Sequence, residues 1–244
     1  MKRILMFLMI IASLASYAQK TNLVTVNTVK PKKGQKMAFE AAYKVHAAKF
    51  HKNSENVNVY EILSGTYAGY YHIAAGNKSY ADFDKERPDA AAHSLDLDKT
   101  FFPYLDETMN ATYRYIDSLS LHPDVVADKY VVTIRHLKQG VNMADLRKEL
   151  ARTVKINGIL KGGFWDNLSY SLYEQLWAGT SPVHISIRAL KDGFKSLEAN
   201  YYGSAPAGSP SFRDEYAKAY GHADWDARVK LMDDATAKTE VYIM

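Results

Sequence analysis

The sequence predicts an α+β fold made of two βαββαβ repeats whose antiparallel sheets pack face to face within one chain. Three observations carry that prediction. Lys32-Lys33-Gly34-Gln35-Lys36-Met37-Ala38 is echoed by Lys138-Gln139-Gly140-Val141-Asn142-Met143-Ala144. Val59-Tyr60-Glu61-Ile62-Leu63-Ser64-Gly65-Thr66 is echoed by Leu172 to Thr180, with one residue inserted before the Gly-Thr. Thr112, Tyr115 and Ile116 are echoed by Thr239, Tyr242 and Ile243. The echoes keep their order, as a tandem duplication requires. Their spacing differs, so the second half carries insertions around Asn157 to Trp165 and Tyr202 to Ser211, where Gly, Pro and small residues tolerate added length.

Ahead of the first repeat, Lys2 and Arg3 precede a nearly unbroken apolar run from Ile4 to Leu14, and Ser16-Tyr17-Ala18 offers a small-x-small cleavage site. Residues 1–19 are therefore expected to be a bacterial-type export signal, removed from a periplasmic or extracellular protein. The run is shorter than the about 20 residues needed to span a bilayer. The first repeat is assigned to residues 20–120. It opens with a Val/Thr-rich strand, Leu23 to Val29, stopped by Pro31 and Gly34. A helix over Lys36 to Lys52 follows, with Met37, Ala41, Val45 and Ala48 expected to face inward. Strands at Val57 to Leu63 and Thr66 to Ala74 form a hairpin turning at Ser64-Gly65. After Asn77 as N-cap, helical segments on either side of Pro88 run towards Met109, and Thr112 to Ser118 closes the repeat as a strand.

A linker over 121–129 leads to the second repeat, residues 130–244. Its strand is Tyr130 to Leu137, and Asn142 caps a helix with a Met143, Leu146, Leu150, Val154 stripe. Strands at about Leu168 to Trp177 and Val183 to Leu190 come next. A short helix from Asp192, a loosely packed loop from Tyr201 to Pro210, a long helix from about Phe212 to Ala235 and a last strand from Thr239 complete it. Strand, helix, strand, strand, helix, strand in each half is the split βαβ, or ferredoxin-like, arrangement. Helices cover one face of such a sheet and leave the other bare, and two bare faces within one chain bury each other.

Composition excludes several classes. With no cysteine there is no disulfide, thiolate metal site or lipidated amino terminus. The formal charge of +4 falls to about +2 once Lys2 and Arg3 are removed, and basic residues are scattered among acidic ones, so no nucleic-acid partner is expected. No phosphate loop, dinucleotide fingerprint or Gly-x-Ser-x-Gly motif occurs. His46 and His51 are five apart on the expected helix and do not share a face, and Asp96-Leu97-Asp98 lacks the glycine and terminal glutamate of a calcium loop, so no metal site is expected.

On its duplicated element order, the chain resembles the dimeric α+β barrel superfamily, which includes antibiotic-biosynthesis monooxygenase-like and NIPSNAP-like proteins, as a fused tandem pair. The resemblance implies a cavity between the sheets that holds an aromatic compound or haem, and an oxygenase-like activity. Because the repeat pair is intramolecular, a monomer can close such a barrel.

Strand alternation places candidate residues inside it. Taking Val183, Ile185, Ile187 and Ala189 as the helix-facing set puts His184, Ser186 and Arg188 between the sheets. In the first half Tyr71, Ile73 and Ala75 take the helix side, and Tyr70, His72 and Ala74 point inward. Tyr70, His72, His184 and Arg188, joined by Glu61, Glu174, Tyr113 and Tyr115, then line a polar ligand pocket. Repetition of Glu61 as Glu174 favours a structural role for that pair. Three readings follow: an exported binder of a small, aromatic molecule; an oxygenase-like enzyme, cofactor-free or haem-dependent, with His72 or His184 as general base and Arg188 holding developing negative charge; and a scaffold or partner-binding module with a solid interior.

Overall fold

A computed structural model of the chain describes residues 22–52, 57–177, 182–198 and 207–244; residues 1–19, expected to be an export signal, and residues 201–206 of the Tyr201 to Pro210 loop lie outside them. The first half contains β1 (Leu23–Pro31), α1 (Lys36–Phe50), β2 (Asn58–Glu61), β3 (Tyr71–Lys78), α2 (Tyr80–Phe83), α3 (Ala90–Thr100) and β4 (Leu105–Tyr115). The second contains β5 (Tyr130–Leu137), α4 (Met143–Ile159), α5 (Phe164–Asn167), β6 (Tyr170–Trp177), β7 (Val183–Ala189), α6 (Phe212–Tyr220), α7 (His222–Ala235) and β8 (Thr236–Ile243).

The repeats do not form two free-standing sheets. All strands join one eight-stranded antiparallel sheet in the order β2-β3-β1-β4-β6-β7-β5-β8, so each half has the same internal order and the second continues the first. The halves meet along β4 and β6, where Tyr113 pairs with Gln175, Arg114 with Glu174 and Tyr115 with Tyr173. The opposite ends of the sheet meet beyond β2: Leu63 N–H donates to Ile243 O at 2.7 Å, and Ile243 N–H donates to Ser64 Oγ at 3.0 Å. The sheet thereby curls into a barrel.

The second junction explains why the expected tight hairpin is absent. Residues 62–70 form a chain of turns, with Gly69 N–H donating to Ile62 O and Tyr70 N–H to Tyr67 O. That excursion carries Ile62 to Ser64 across to β8. Gly65 sits at its tip with φ +81°, and a Cβ there would lie 3.0 Å from both Tyr242 Cβ and Val241 O. Only glycine permits both the backbone conformation and the approach.

Two aromatic-rich helix layers cover the outside. In the first half Phe39, Tyr43, Tyr71 and Phe101 pack with Val29, Ile73 and Leu105 under α1 and α3. The inward stripe of α1 is therefore Phe39, Tyr43, His46 and Phe50, and not the expected one: Met37 is 83% exposed and Val45 69%. Four bulky rings bury more apolar area than Met, Val and two alanines, and that difference sets the helix's rotation. In the second half Tyr216, Ile156 and Leu160 pack with Trp165, Phe212 and Trp225.

The remaining differences concern boundaries. Ser79, not Asn77, caps α2, through a capping box with Asp82. Pro103 lies in a single 3₁₀ turn, after which β4 starts at Leu105, earlier than expected. Gly221, at φ +99°, splits the expected long helix into α6 and α7. Asn142 caps α4 as expected, its side chain accepting from Ala144 N–H and Asp145 N–H.

Candidate functional site

The barrel interior contains a cavity of about 820 Å³. Alternation fills it strand by strand. β1 contributes Val24, Val26 and Thr28, and β3 contributes His72 and Ala74. From β4 come Ala111, Tyr113 and Tyr115, and from β5 Val132, Ile134 and His136. The wall is completed by Tyr173 and Gln175 on β6, by Val183, Ile185, Ile187 and Ala189 on β7, and by Glu240 and Tyr242 on β8. Tyr60, Tyr67 and Tyr130 also face it.

The polar centre is a hydrogen-bonded chain. Thr28 Oγ1 lies 2.8 Å from His72 Nδ1, across a paired position of β1 and β3, and Tyr242 Oη lies 2.7 Å from His72 Nε2. A neutral imidazole has one N–H and one lone pair, so one of these contacts donates and the other accepts. Burial disfavours the imidazolium and lowers the His72 pKa to about 4. Burial likewise raises the Tyr113 phenol to about 12 and pushes Tyr242, Tyr60 and Tyr173 upward. The centre is thus a set of neutral hydrogen-bonding groups framed by aliphatic side chains. The carboxylates on the lining are Glu240 and Asp124. His136 Nε2, on a side chain 36% exposed, lies 2.8 Å from Glu240 Oε1, which Lys238 also reaches at 3.1 Å. Burial acts to raise the Glu240 pKa, but these two partners outweigh it and lower it.

The structure brings together only part of the sequence-predicted set. His72, Tyr113 and Tyr115 line the cavity. Tyr70 is not on the lining, its hydroxyl donating to Glu107 at 2.9 Å beside Lys30. Glu61 pairs with Lys36 of α1 at 2.6 Å. The β7 assignment is reversed: His184, Ser186 and Arg188 face the helices. Arg188 lies over the Phe164 ring, and His184, 2% exposed, sits with its Nε2 3.4 Å from Glu174 Oε1. Glu174 is itself 5% exposed and accepts from Arg147 at 2.6 Å and from Arg114 at 2.8 Å. Burial acts to raise its pKa, yet the surrounding His184, Arg147 and Arg114 hold the carboxyl well below the usual range. That network ties the junction between the halves from outside the cavity.

Alternation separates two faces of a strand without naming them, and in a closed barrel both are buried. Val183, Ile185 and Ile187 are apolar because they line the interior, while the polar set is accommodated by ion pairs outside. Thr28, Tyr60, Tyr67, Tyr130, Tyr173 and Tyr242 were missed. For Tyr242 a signal existed, since the third echo pairs it with Tyr115.

No protein-family model and no curated protein sequence matches the chain. Among solved structures, that of an anthrone oxidase-like protein superposes with a TM-score of 0.51 at 15% identity, covering 93% of this chain and 92% of that one. A provisionally named monooxygenase from Fusobacterium nucleatum gives 0.52 at 11% identity, over 92% of this chain and 93% of that one. The chain has the dimeric α+β barrel fold. Here both halves of the α+β barrel belong to one polypeptide. A histidine-ligated haem, one form of the cofactor that the resemblance implied, does not suit this donor set. His72 has no nitrogen left for an iron, and the other lining histidines stand nearer solvent, His136 tied to Glu240 and His122 exposed. No helix of the described residues is long and apolar enough to cross a membrane.

Proposed function

We propose that this α+β barrel is an exported binder of a small, aromatic, uncharged molecule carrying a hydroxyl or carbonyl group. One observation carries the reading: an 820 Å³ cavity, within the roughly 300–1,000 Å³ range of small-molecule sites, whose apolar wall surrounds the neutral Thr28–His72–Tyr242 chain. Tyrosine faces and branched aliphatics suit an aromatic body, and the hydrogen-bonded chain suits its polar substituent. A charged ligand would lose hydration there without meeting an opposite charge. A cavity of this size also counts against the scaffold reading with a solid interior.

An oxygenase-like activity is the second reading, favoured by the names of the two structural neighbours above. Within it His72 is the base and acts through Tyr242, whose Oη lies 2.7 Å from Nε2 on the cavity wall and relays a substrate's proton to the ring. His184 and Arg188 have no part in it, because both lie outside the cavity.

Anthrone serves as the probe for both. Binding, read by quenching of intrinsic fluorescence, is expected for the native chain, to be lost in Ile185→Trp, which fills the cavity, and to be retained in His184→Ala. Binding unaffected by Ile185→Trp would remove the cavity as the site. Oxygen uptake that stops in His72→Phe would assign the enzyme reading, whereas binding without uptake would leave the binder alone.

A further inference from the structure

A second cluster lies on the far side of the sheet from the cavity, between α1 and α3. His46 from α1, His51 just past its end and His93 from α3 converge, each offering a ring nitrogen within 4.8 Å of the others. His46 Nε2 is 3.2 Å from His93 Nε2, and His93 Nε2 is 3.4 Å from His51 Nε2. Sequence spacing hid the group, because α1 ends at Phe50 and the chain turns at its C-cap His51, while His93 comes from another helix.

The three rings bring one nitrogen each to a single place. His46 is fully buried, and its Nδ1 lies 2.8 Å from Asp96 Oδ2. Asp96 also accepts from Lys49 at 3.0 Å and Thr100 at 3.1 Å, so it is an ionised acceptor and the proton of His46 is on Nδ1. In the neutral imidazole the lone pair is then on Nε2, which points at the cluster. His93 Nε2 carries either one proton or one lone pair, in the plane of its ring, and can satisfy only one of its two close neighbours. One cation at the centre satisfies all three nitrogens.

We infer that His46, His51 and His93 form a binding site for a divalent transition-metal ion of the zinc type, oriented by Asp96. A tetrahedral ion with metal–nitrogen bonds of about 2.0–2.1 Å holds its ligands about 3.3–3.4 Å apart, close to the two shortest separations here. A small swing of His51 at the helix end closes the third. The contact from His46 Nδ1 to Asp96 is the carboxylate–histidine arrangement that fixes a ligand's tautomer. Nearby cations are matched: Lys49 by Asp96 and Arg87 by Asp89. Three protein ligands leave a fourth position for water, and the half-buried rings of His51 and His93 give it a route to solvent. The site joins the carboxy-terminal end of α1 to α3.

The test uses the full chain, stripped with a chelator and titrated calorimetrically with Zn²⁺, and separately with Co²⁺ to read the visible bands of a tetrahedral ion. Saturable uptake of one ion per chain, a higher melting temperature and tetrahedral Co²⁺ bands are expected. His51→Ala, at a half-buried position just past the end of α1, should abolish these while leaving the far-UV circular dichroism of the chain unchanged. Asp96→Asn should weaken uptake about 10- to 100-fold without removing it. Absence of stoichiometric uptake by the native chain would overturn the inference, as would uptake unchanged in His51→Ala.

Discussion

His72 commits both ring nitrogens to the cavity wall, and that makes its protonation a question of stability as well as of binding. Its folded pKa of about 4 lies below the about 6.5 of an unfolded histidine. The folded state therefore resists a proton that the unfolded chain accepts. The stabilisation is complete above pH 6.5 and is lost as the pH falls towards 4, amounting to about 3 kcal/mol at the lower limit. Urea denaturation at pH 7 and pH 4.5 should show this loss in the native chain and a smaller one in His72→Phe; equal losses would mean that His72 does not carry it. At this scale the sequence was legible only in part. Alternation put His72 on the correct face because its neighbours Tyr71 and Ile73 are apolar and meet the helices. The same logic failed for His184 and Arg188, whose strand is apolar towards the interior.

Among elements, α1 shows what decides a helix's rotation. Apolar residues occupy two stripes, one of Met37, Ala41, Val45 and Ala48 and one of Phe39, Tyr43 and Phe50, and periodicity alone ranks neither. Ring packing ranks them: Phe39 sits 4.9 Å from Tyr71 and 5.5 Å from Phe101, centroid to centroid, with the rings tilted. Phe39→Ala should cost about 3–5 kcal/mol by leaving a void in that cluster, while Met37→Ala should change stability by no more than about 0.5 kcal/mol. Chemical denaturation of the two variants measures the difference, and comparable costs would contradict this orientation. Strand order was legible because the duplication supplied each element twice. The β2–β3 connection was not, because its turns exist to reach β8, a partner 179 residues away.

At the level of the whole molecule, each half is an open four-stranded layer with a bare inner face and two free edges. Residues 20–120 produced alone should therefore pair with a second copy, which supplies by association what the fused partner supplies in the native chain. Light scattering on that fragment should report a dimer, whereas a stable folded monomer would show that the inner face needs no cover.

The two places where the halves meet are unequal. One is a ladder of paired residues reinforced by the buried Glu174 carboxylate; the other rests on Leu63, Ser64 and Ile243 around Gly65. A hoop riveted on one side and buckled on the other gives way at the buckle. Tyr242, the residue that holds His72 from across the cavity, belongs to the strand that the buckle fastens. Slackening there would loosen the His72–Tyr242 contact and open the interior in one movement, so any molecule entering by that route would meet an attachment point that had already let go.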